Sequence, residues 1–195
     1  MSAVRRVTRV LSFVLLGGFF LLGSRCNYRP NTGSAGYSGA SCGIAPAGPS
    51  VSWSVGSNPP TANASALLAL LNAQRTANGM SSLVWHDGLT SVATLHSNDM
   101  ANGNYLNLMA PEGYDVFQSL VAANPSIHFD DTYALVYAEP FPTTAPAVFG
   151  SLMANPAFVG ALMDPAMTHW GQFGAKLPAQ PVSYSTIVFG KNVVP

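Results

Sequence analysis

The sequence predicts an α+β fold in which helices pack on a small antiparallel sheet. Apolar residues recur at intervals of three and four through most of the stretch 65–154, which is typical of amphipathic helices. The stretch 182–190 instead alternates along the chain, which is typical of a strand. Because 48% of the residues are hydrophobic, the chain can bury a core, and general disorder is excluded. Helices followed by a closing hairpin favour a sheet covered by helices.

The first two helices have clear start and stop signals. Asn63 precedes a leucine-rich stripe and Gly79 follows it, which predicts a helix over 65–78. Asp87 is the predicted cap of a second helix that ends at Gly103. In this helix His96 shares the spacing of the apolar residues, so its side chain is expected to point inward.

The remaining elements follow in order. A third helix is expected over 111–123 and a buried strand over 133–139. Thr143 or Thr144 caps a fourth helix that runs to Ala154, with a proline in its first turn. Two final strands are expected near 169–176 and 182–190.

Three regions divide the chain: an export signal over 1–24, a Gly/Ser/Pro-rich spacer over 25–62 and a domain over 63–195. The first region has a basic start, an apolar run over 10–22 and small residues at its end. That run is shorter than the roughly 20 residues needed to span a bilayer. The spacer shows no helical or strand period and is expected to be flexible.

Both cysteines, Cys26 and Cys42, lie in the spacer. In an oxidising compartment the simplest expectation is one disulfide between them. The alternative is a lipid on Cys26, although Arg25 directly before it departs from a lipoprotein signal. Lipidation would leave Cys42 without a partner.

Charge and motif content exclude several functions. Only 8% of residues are charged. Beyond residue 24 five basic residues face eight acidic ones, so the net charge is −3 and nucleic-acid binding is not expected. The sequence has neither a Gly-x-Ser-x-Gly motif nor a phosphate-binding glycine loop.

Short motifs occur in a fixed order along the domain. They are 70–75 (LLNAQR), 83–85 (LVW), His96 followed by 99–101 (DMA), 153–158 (MANPAF), 162–165 (LMDP), 168–171 (THWG) and 185–190 (STIVFG). Together they resemble a bacterial CAP domain, the domain of cysteine-rich secretory and pathogenesis-related proteins. The resemblance covers about residues 65–191 and implies a three-layer α-β-α sandwich.

The resemblance also indicates where the chain departs from the family. CAP domains usually place two histidines and two acids around a central cleft that can hold a divalent metal. By this resemblance Asn107 and Phe158 stand in place of the histidines, Glu139 matches one acid and Gly150 falls near the other. Since phenylalanine offers no donor and Glu139 alone cannot hold zinc, neither a metal nor another cofactor is expected.

The expected cleft residues are His96, Asn107, Glu139, Phe158 and His169. The leading hypothesis is a secreted or envelope-attached CAP-like domain that binds a small hydrophobic ligand or an extracellular protein without catalysis. Membrane contact is expected only through the leader or a lipid on Cys26. One alternative is a hydrolase of peptide or cell-wall material that uses Glu139 with His96 or His169. Another is a purely structural extracellular module.

Overall fold

The computed structural model describes residues 20–22, 62–113, 115–124, 127 and 129–191. The helices are α1 (Ala62–Ala77), α2 (Asp87–Gly103), α3 (Val116–Ala123), α4 (Ala145–Ala154) and α5 (Pro156–Leu162). The strands are β1 (Phe20–Leu22), β2 (Val84–Trp85), β3 (Asp131–Pro140), β4 (His169–Ala175) and β5 (Val182–Lys191). The predicted strands and the first, second and fourth helices are therefore confirmed to within a few residues.

The strands form one sheet in the order β1-β3-β5-β4-β2. β3 and β5 pair antiparallel over their full length, from Asp131 opposite Lys191 to Pro140 opposite Val182. β4 also runs antiparallel to β5, whereas the two-residue strand β2 runs parallel to β4. The predicted α+β fold is confirmed, and its sheet is antiparallel except at β2.

Helices cover both faces of the sheet. Side chains of successive strand residues point to opposite faces, so Leu135 and Tyr137 of β3 pack in one core with residues of α1, α4 and α5. Ala134 and Val136 pack in the other core with residues of α2 and α3. This arrangement is the three-layer α-β-α sandwich that the resemblance implies.

Helix α2 lies very close to the sheet at Gly171. A Cβ atom added there would be 2.3 Å from the backbone nitrogen of Thr90 and 2.4 Å from the carbonyl carbon of Leu89. Since no side chain fits in that space, glycine in the 168–171 motif allows α2 to pack directly on β4.

Two side chains of the 70–75 motif hydrogen-bond α1 to loops that are distant in sequence. The Asn72 side chain accepts the N–H of Leu83 at 2.7 Å and donates to its carbonyl oxygen at 3.0 Å. Arg75 is fully buried, and its guanidinium donates at 2.9–3.0 Å to four backbone carbonyls. Those carbonyls belong to Ser81, Leu162, Asp164 and Met167. The motif is therefore structural: it holds β2 and the α5–β4 connection against the helix.

Two local predictions were wrong, and one element was missed. The third helix starts at Val116 rather than at residue 111, because Gly113 adopts a φ of 89° in a turn that precedes the helix. His86, not Asp87, caps α2, since its ring accepts the N–H of Leu89. Helix α5 was not predicted. It follows α4 after a single residue, Asn155, whose side chain caps the new helix.

The early part of the chain contributes only the edge strand β1 to the described structure, and its residues pair with Val136–Ala138 of β3. β1 falls inside the predicted export signal, and the processing of that segment stays a prediction. The cysteines, with most of the predicted signal and spacer, lie outside the described residues. Among the helices that the structure describes, none alone is long and apolar enough to cross a membrane. Only α4 and α5 together reach the required length and composition, and they are bent by 108°.

Candidate functional site

A cavity of about 220 Å³ opens at one end of the sheet. It lies where β3 ends and where α1 and the loop before α4 begin. One part of its lining is polar, and it includes Tyr137, Glu139, Thr143, Gln172 and Ser183. The other part is largely apolar, and it includes Ala64, Leu67, Phe141, Ala145 and Val148.

The strand register builds the polar part. Tyr137 and Glu139 are two residues apart on β3, so both side chains point to the same face of the sheet. Ser185 pairs with Tyr137 across the β3–β5 ladder, and Ser183 pairs with Glu139. On the other side of β5, Gly174 pairs with Ser185. These polar side chains thus form a cluster on a face of the sheet that is otherwise apolar.

Gly174 leaves room for the two serine hydroxyls. A Cβ atom at this position would lie 2.7 Å from the Oγ atom of Ser185 and 3.1 Å from that of Ser183. The first distance is shorter than real Cβ contacts, so any side chain here would displace the hydroxyl that contacts Glu139. Glycine at position 174 is therefore required for the Ser185 hydroxyl to contact Glu139.

Glu139 is the only carboxyl group among the described residues that line the cavity, and it is 7% exposed. Its Oε1 atom accepts a hydrogen bond from the Ser185 hydroxyl at 3.3 Å. Its Oε2 atom is buried and has no hydrogen-bond partner among the described residues. Burial raises the pKa of Glu139 to about 7, and the bond from Ser185 offsets part of that rise. At neutral pH the group is therefore divided between its protonated and ionised forms.

Tyr137 and Gln172 complete the polar wall. Gln172 donates from Nε2 to the Tyr137 hydroxyl oxygen at 3.4 Å. Burial and the neighbouring Glu139 charge raise the pKa of Tyr137 far above its usual range. Tyr137 thus keeps its proton at physiological pH and does not act as a base.

One aromatic side chain, Phe141, stands at the rim of the cavity. Phe141 lines the opening and is 58% exposed, which is unusual for a large apolar side chain. The Lys176 ammonium lies 4.9 Å from the centre of its ring, within the range of a cation–π contact. Lys176 also donates to the carbonyls of Leu177 and Pro178.

The structure places His96 and Asn107 away from this cavity. His96 points inward from α2, on the opposite side of the sheet from Glu139, and is fully buried. Burial lowers its pKa to about 4, and a contact with the Asn107 backbone offsets this only in part. Neither ring nitrogen makes a full hydrogen bond to a described residue. Asn107 is exposed, and its side chain accepts the N–H of Met109.

His169 lies at the other end of the sheet. It pairs with Gly190 of β5, whereas Glu139 pairs with Ser183. The seven intervening steps along β5 correspond to roughly 23 Å. The His169 ring instead contacts the rings of His86 and Phe129. The structure therefore brings Glu139 together with neither His169 nor His96.

Phe158 is fully buried in the core that α1, α4 and α5 share with the sheet. It is not among the residues that line the Glu139 cavity. Of the five expected cleft residues, the structure places only Glu139 in this cavity.

The cavity does not fit the divalent metal that the CAP resemblance allows. Besides Glu139, its polar lining offers hydroxyl, phenol and amide groups. A first-row metal prefers several imidazole or carboxylate donors. No group of three or more His, Cys, Asp or Glu side chains converges anywhere in the part of the chain that the structure describes.

Sequence reasoning missed Tyr137, Gln172, Ser183 and Ser185. One signal was present: polar residues recur two apart in strands that are otherwise apolar. This spacing shows that side chains share a face, but it does not reveal which strands are neighbours. Only the registers of β3 with β5 and of β4 with β5 bring these residues together.

The order of the elements and the three α-β-α layers define a CAP-like fold. Residues 68–185 match the cysteine-rich secretory protein (CAP) family, and the chain belongs to this family. No match was found among curated proteins.

Among the solved structures that share this fold are an outer surface protein and an extracellular protein. One is an outer surface protein from Borrelia burgdorferi, with 16% identity, a TM-score of 0.55, and coverage of 65% of this chain and 90% of that one. The other is an extracellular protein containing an SCP domain from Bacillus anthracis str. Ames, with 18% identity and a TM-score of 0.52. That match covers 70% of this chain but only 45% of the Bacillus protein. At these identities the likeness concerns the fold.

Proposed function

We propose that this chain is an extracytoplasmic CAP module that binds a small molecule in the Glu139 cavity without catalysing a reaction. The observation that carries the proposal is that Glu139 lines a cavity of about 220 Å³ while its buried Oε2 atom has no partner among the described residues. A buried polar atom without a hydrogen bond is costly, so a ligand that satisfies it gains affinity.

The apolar part of the cavity supports the same proposal. Leu67, Ala145 and Val148 are 2–4% exposed and line the cavity opposite the polar group. Small-molecule sites typically combine such apolar walls with a few placed polar groups. The exposed Phe141 ring extends the apolar surface to the rim. The ligand is therefore expected to have one polar end and an apolar body.

A non-catalytic role is supported by the side chains around Glu139. A hydrolase that uses a carboxylate with a histidine needs the two groups within hydrogen-bond reach or joined by one water. His96 lies on the other side of the sheet and His169 lies at its far end. The proposal thus includes a degenerate family site in which only one acidic residue is kept.

An extracytoplasmic location is supported by two observations. The two similar structures are those of an outer surface protein and an extracellular protein. The first 24 residues also have the charge and hydropathy pattern of an export signal. Membrane attachment through the leader or through a lipid on Cys26 remains part of the proposal.

A fragment screen by ligand-observed NMR tests the binding function. We expect small fragments to bind the parent protein and to lose binding in Val148→Trp, which fills the cavity. Val84→Trp is the matched control, because Val84 is 58% exposed and does not line the cavity. If Val148→Trp remains folded and no fragment loses binding to it relative to the parent protein, the module is structural and the proposal is wrong.

A turnover assay tests the absence of catalysis. The purified domain should release no product from peptide or cell-wall substrates above the rate of a Glu139→Gln variant. Hydrolysis that this single substitution abolishes would instead establish the hydrolase alternative.

A calorimetric zinc titration at neutral pH tests the absence of a metal site. Zinc should bind no more tightly than to a generic protein surface. Micromolar affinity that Glu139→Ala abolishes would contradict the proposed degenerate site.

A further inference from the structure

We infer that the Glu139 cavity recognises small primary amines, with the ammonium group bound by Glu139 and a short alkyl chain lying along the apolar wall. This inference rests on the proposed binding function and adds the chemical class of the ligand.

The hydrogen-bond inventory of the cavity points to a donor. Ser185 already donates to Oε1 of Glu139, and Ser183 donates to the carbonyl of Ala175. Gln172 donates to the Tyr137 hydroxyl. Among the buried side-chain polar atoms of the described lining, the one that makes no hydrogen bond is an acceptor, Oε2 of Glu139. A carboxylate oxygen is satisfied only by an N–H or O–H group.

The charge of the cavity favours a cationic donor. The described lining contains no lysine, arginine or histidine, and its other titratable side chain, Tyr137, keeps its proton. The nearby Lys176 ammonium lies over the outer Phe141 ring and donates to two loop carbonyls. The negative charge of Glu139 is therefore uncompensated within this lining, and an ammonium ion would both neutralise it and donate to it. A ligand carboxylate would be repelled.

The apolar wall of the cavity indicates that the part of the ligand beyond the ammonium group is an alkyl chain. Leu67 and Val148 come from α1 and α4, so a chain between these helices contacts hydrocarbon on two sides. The Oε2 atom is buried, and contact with an incoming ammonium requires the carboxylate to turn. That rotation is about the terminal torsion of the glutamate side chain, which has a broad energy minimum.

Three probes with the same four-carbon chain length test the class of ligand: n-butylamine, butyramide and butyrate. Their dissociation constants are measured by titration of the full domain with amide chemical shifts as readout. We expect n-butylamine to bind and to shift the amides of Ser183 and Gln172, with butyramide weaker and butyrate weakest. Glu139→Gln should weaken n-butylamine roughly tenfold or more, as expected for loss of a charged hydrogen bond. Glu112→Gln, which removes the same charge at an exposed site, should leave the affinity for n-butylamine unchanged.

The pH dependence provides a second measurement on the parent protein alone. An alkylamine stays protonated well above neutral pH, as the lysine side chain does. Only the ionised form of Glu139 binds it well. With a pKa of about 7 for Glu139, the affinity for n-butylamine should rise about tenfold from pH 6 to pH 8. The described lining residues from α1, α4, β4 and β5 bring no other titratable group to this carboxyl.

The outcomes separate this inference from the proposed function. If butyrate or butyramide binds as tightly as n-butylamine, or if the affinity does not rise with pH, the ligand class is wrong but the binding function stands. If none of the three probes binds, the inference is overturned. In that case the fragment screen with Val148→Trp decides the proposed function separately.

Discussion

Replacing Glu139 by glutamine should reveal a pH dependence of stability that the parent protein hides. Two buried groups have oppositely shifted pKa values. For Glu139 the pKa rises from 4.5 to about 7 on folding, so the folded state holds an extra proton between these values and stability falls as pH rises. For His96 the pKa falls from 6.5 to about 4, so the unfolded state holds the extra proton and stability rises with pH.

The two effects have similar size. One pKa unit corresponds to about 1.4 kcal/mol, so each shift changes the free energy of unfolding by about 3 kcal/mol. Between pH 4.5 and 6.5 the two groups change the free energy of unfolding in opposite directions. Their summed contribution to stability therefore varies little with pH. Glu139→Gln removes the contribution that falls with pH and leaves that of His96, which rises with pH. Its stability should therefore rise by about 3 kcal/mol from pH 4 to 6.5. Above pH 7 it should exceed the parent by up to the same amount.

Urea denaturation at pH 4.5, 5.5, 6.5 and 8 measures this effect. With typical urea m-values, about 3 kcal/mol shifts the midpoint by roughly 1–3 M. Glu112→Gln is the charge-matched control and should follow the parent. His96→Leu should show the opposite slope, with stability that falls between pH 4.5 and 7. If Glu139→Gln and the parent give parallel pH profiles, Glu139 does not titrate as its burial requires and the reasoning is wrong.

Three further predictions concern packing and processing. Arg75→Met should lower the free energy of unfolding by about 3–5 kcal/mol, because buried carbonyls lose their donor; a loss below about 1 kcal/mol in urea titrations would contradict this. Intact mass under non-reducing conditions should show residues 1–24 absent and Cys26 joined to Cys42, and a diacylglycerol increment would instead establish lipidation. Restoring histidine at both Asn107 and Phe158 should cost about 1–3 kcal/mol, since a buried aromatic ring is lost; equal stability of the double variant would refute that.

Local sequence patterns predicted most of the elements of this fold. Helical spacing in α2 predicted that His96 points inward, and alternation in β5 predicted a strand. These patterns depend on which side chains lie on the same side of one element, so they can be recognised without knowing the neighbours. Where a turn or a one-residue break decides the boundary, as at Gly113 and Asn155, the pattern was less informative.

The tertiary structure alone decided the composition of the site. Ser185 contacts Glu139 from 46 positions further along the chain, and Arg75 binds Met167 from a distance of 92 positions. Such contacts depend on strand order and register, and no periodicity within one element encodes them. The raised pKa of Glu139 likewise arises from burial by other elements. The sequence by itself thus determined the fold class and singled out Glu139. Folding decided which groups surround it, because strand register and helix packing place hydroxyl, phenol, amide and hydrocarbon groups around Glu139. They also place His96 on the opposite side of the sheet and His169 at its far end.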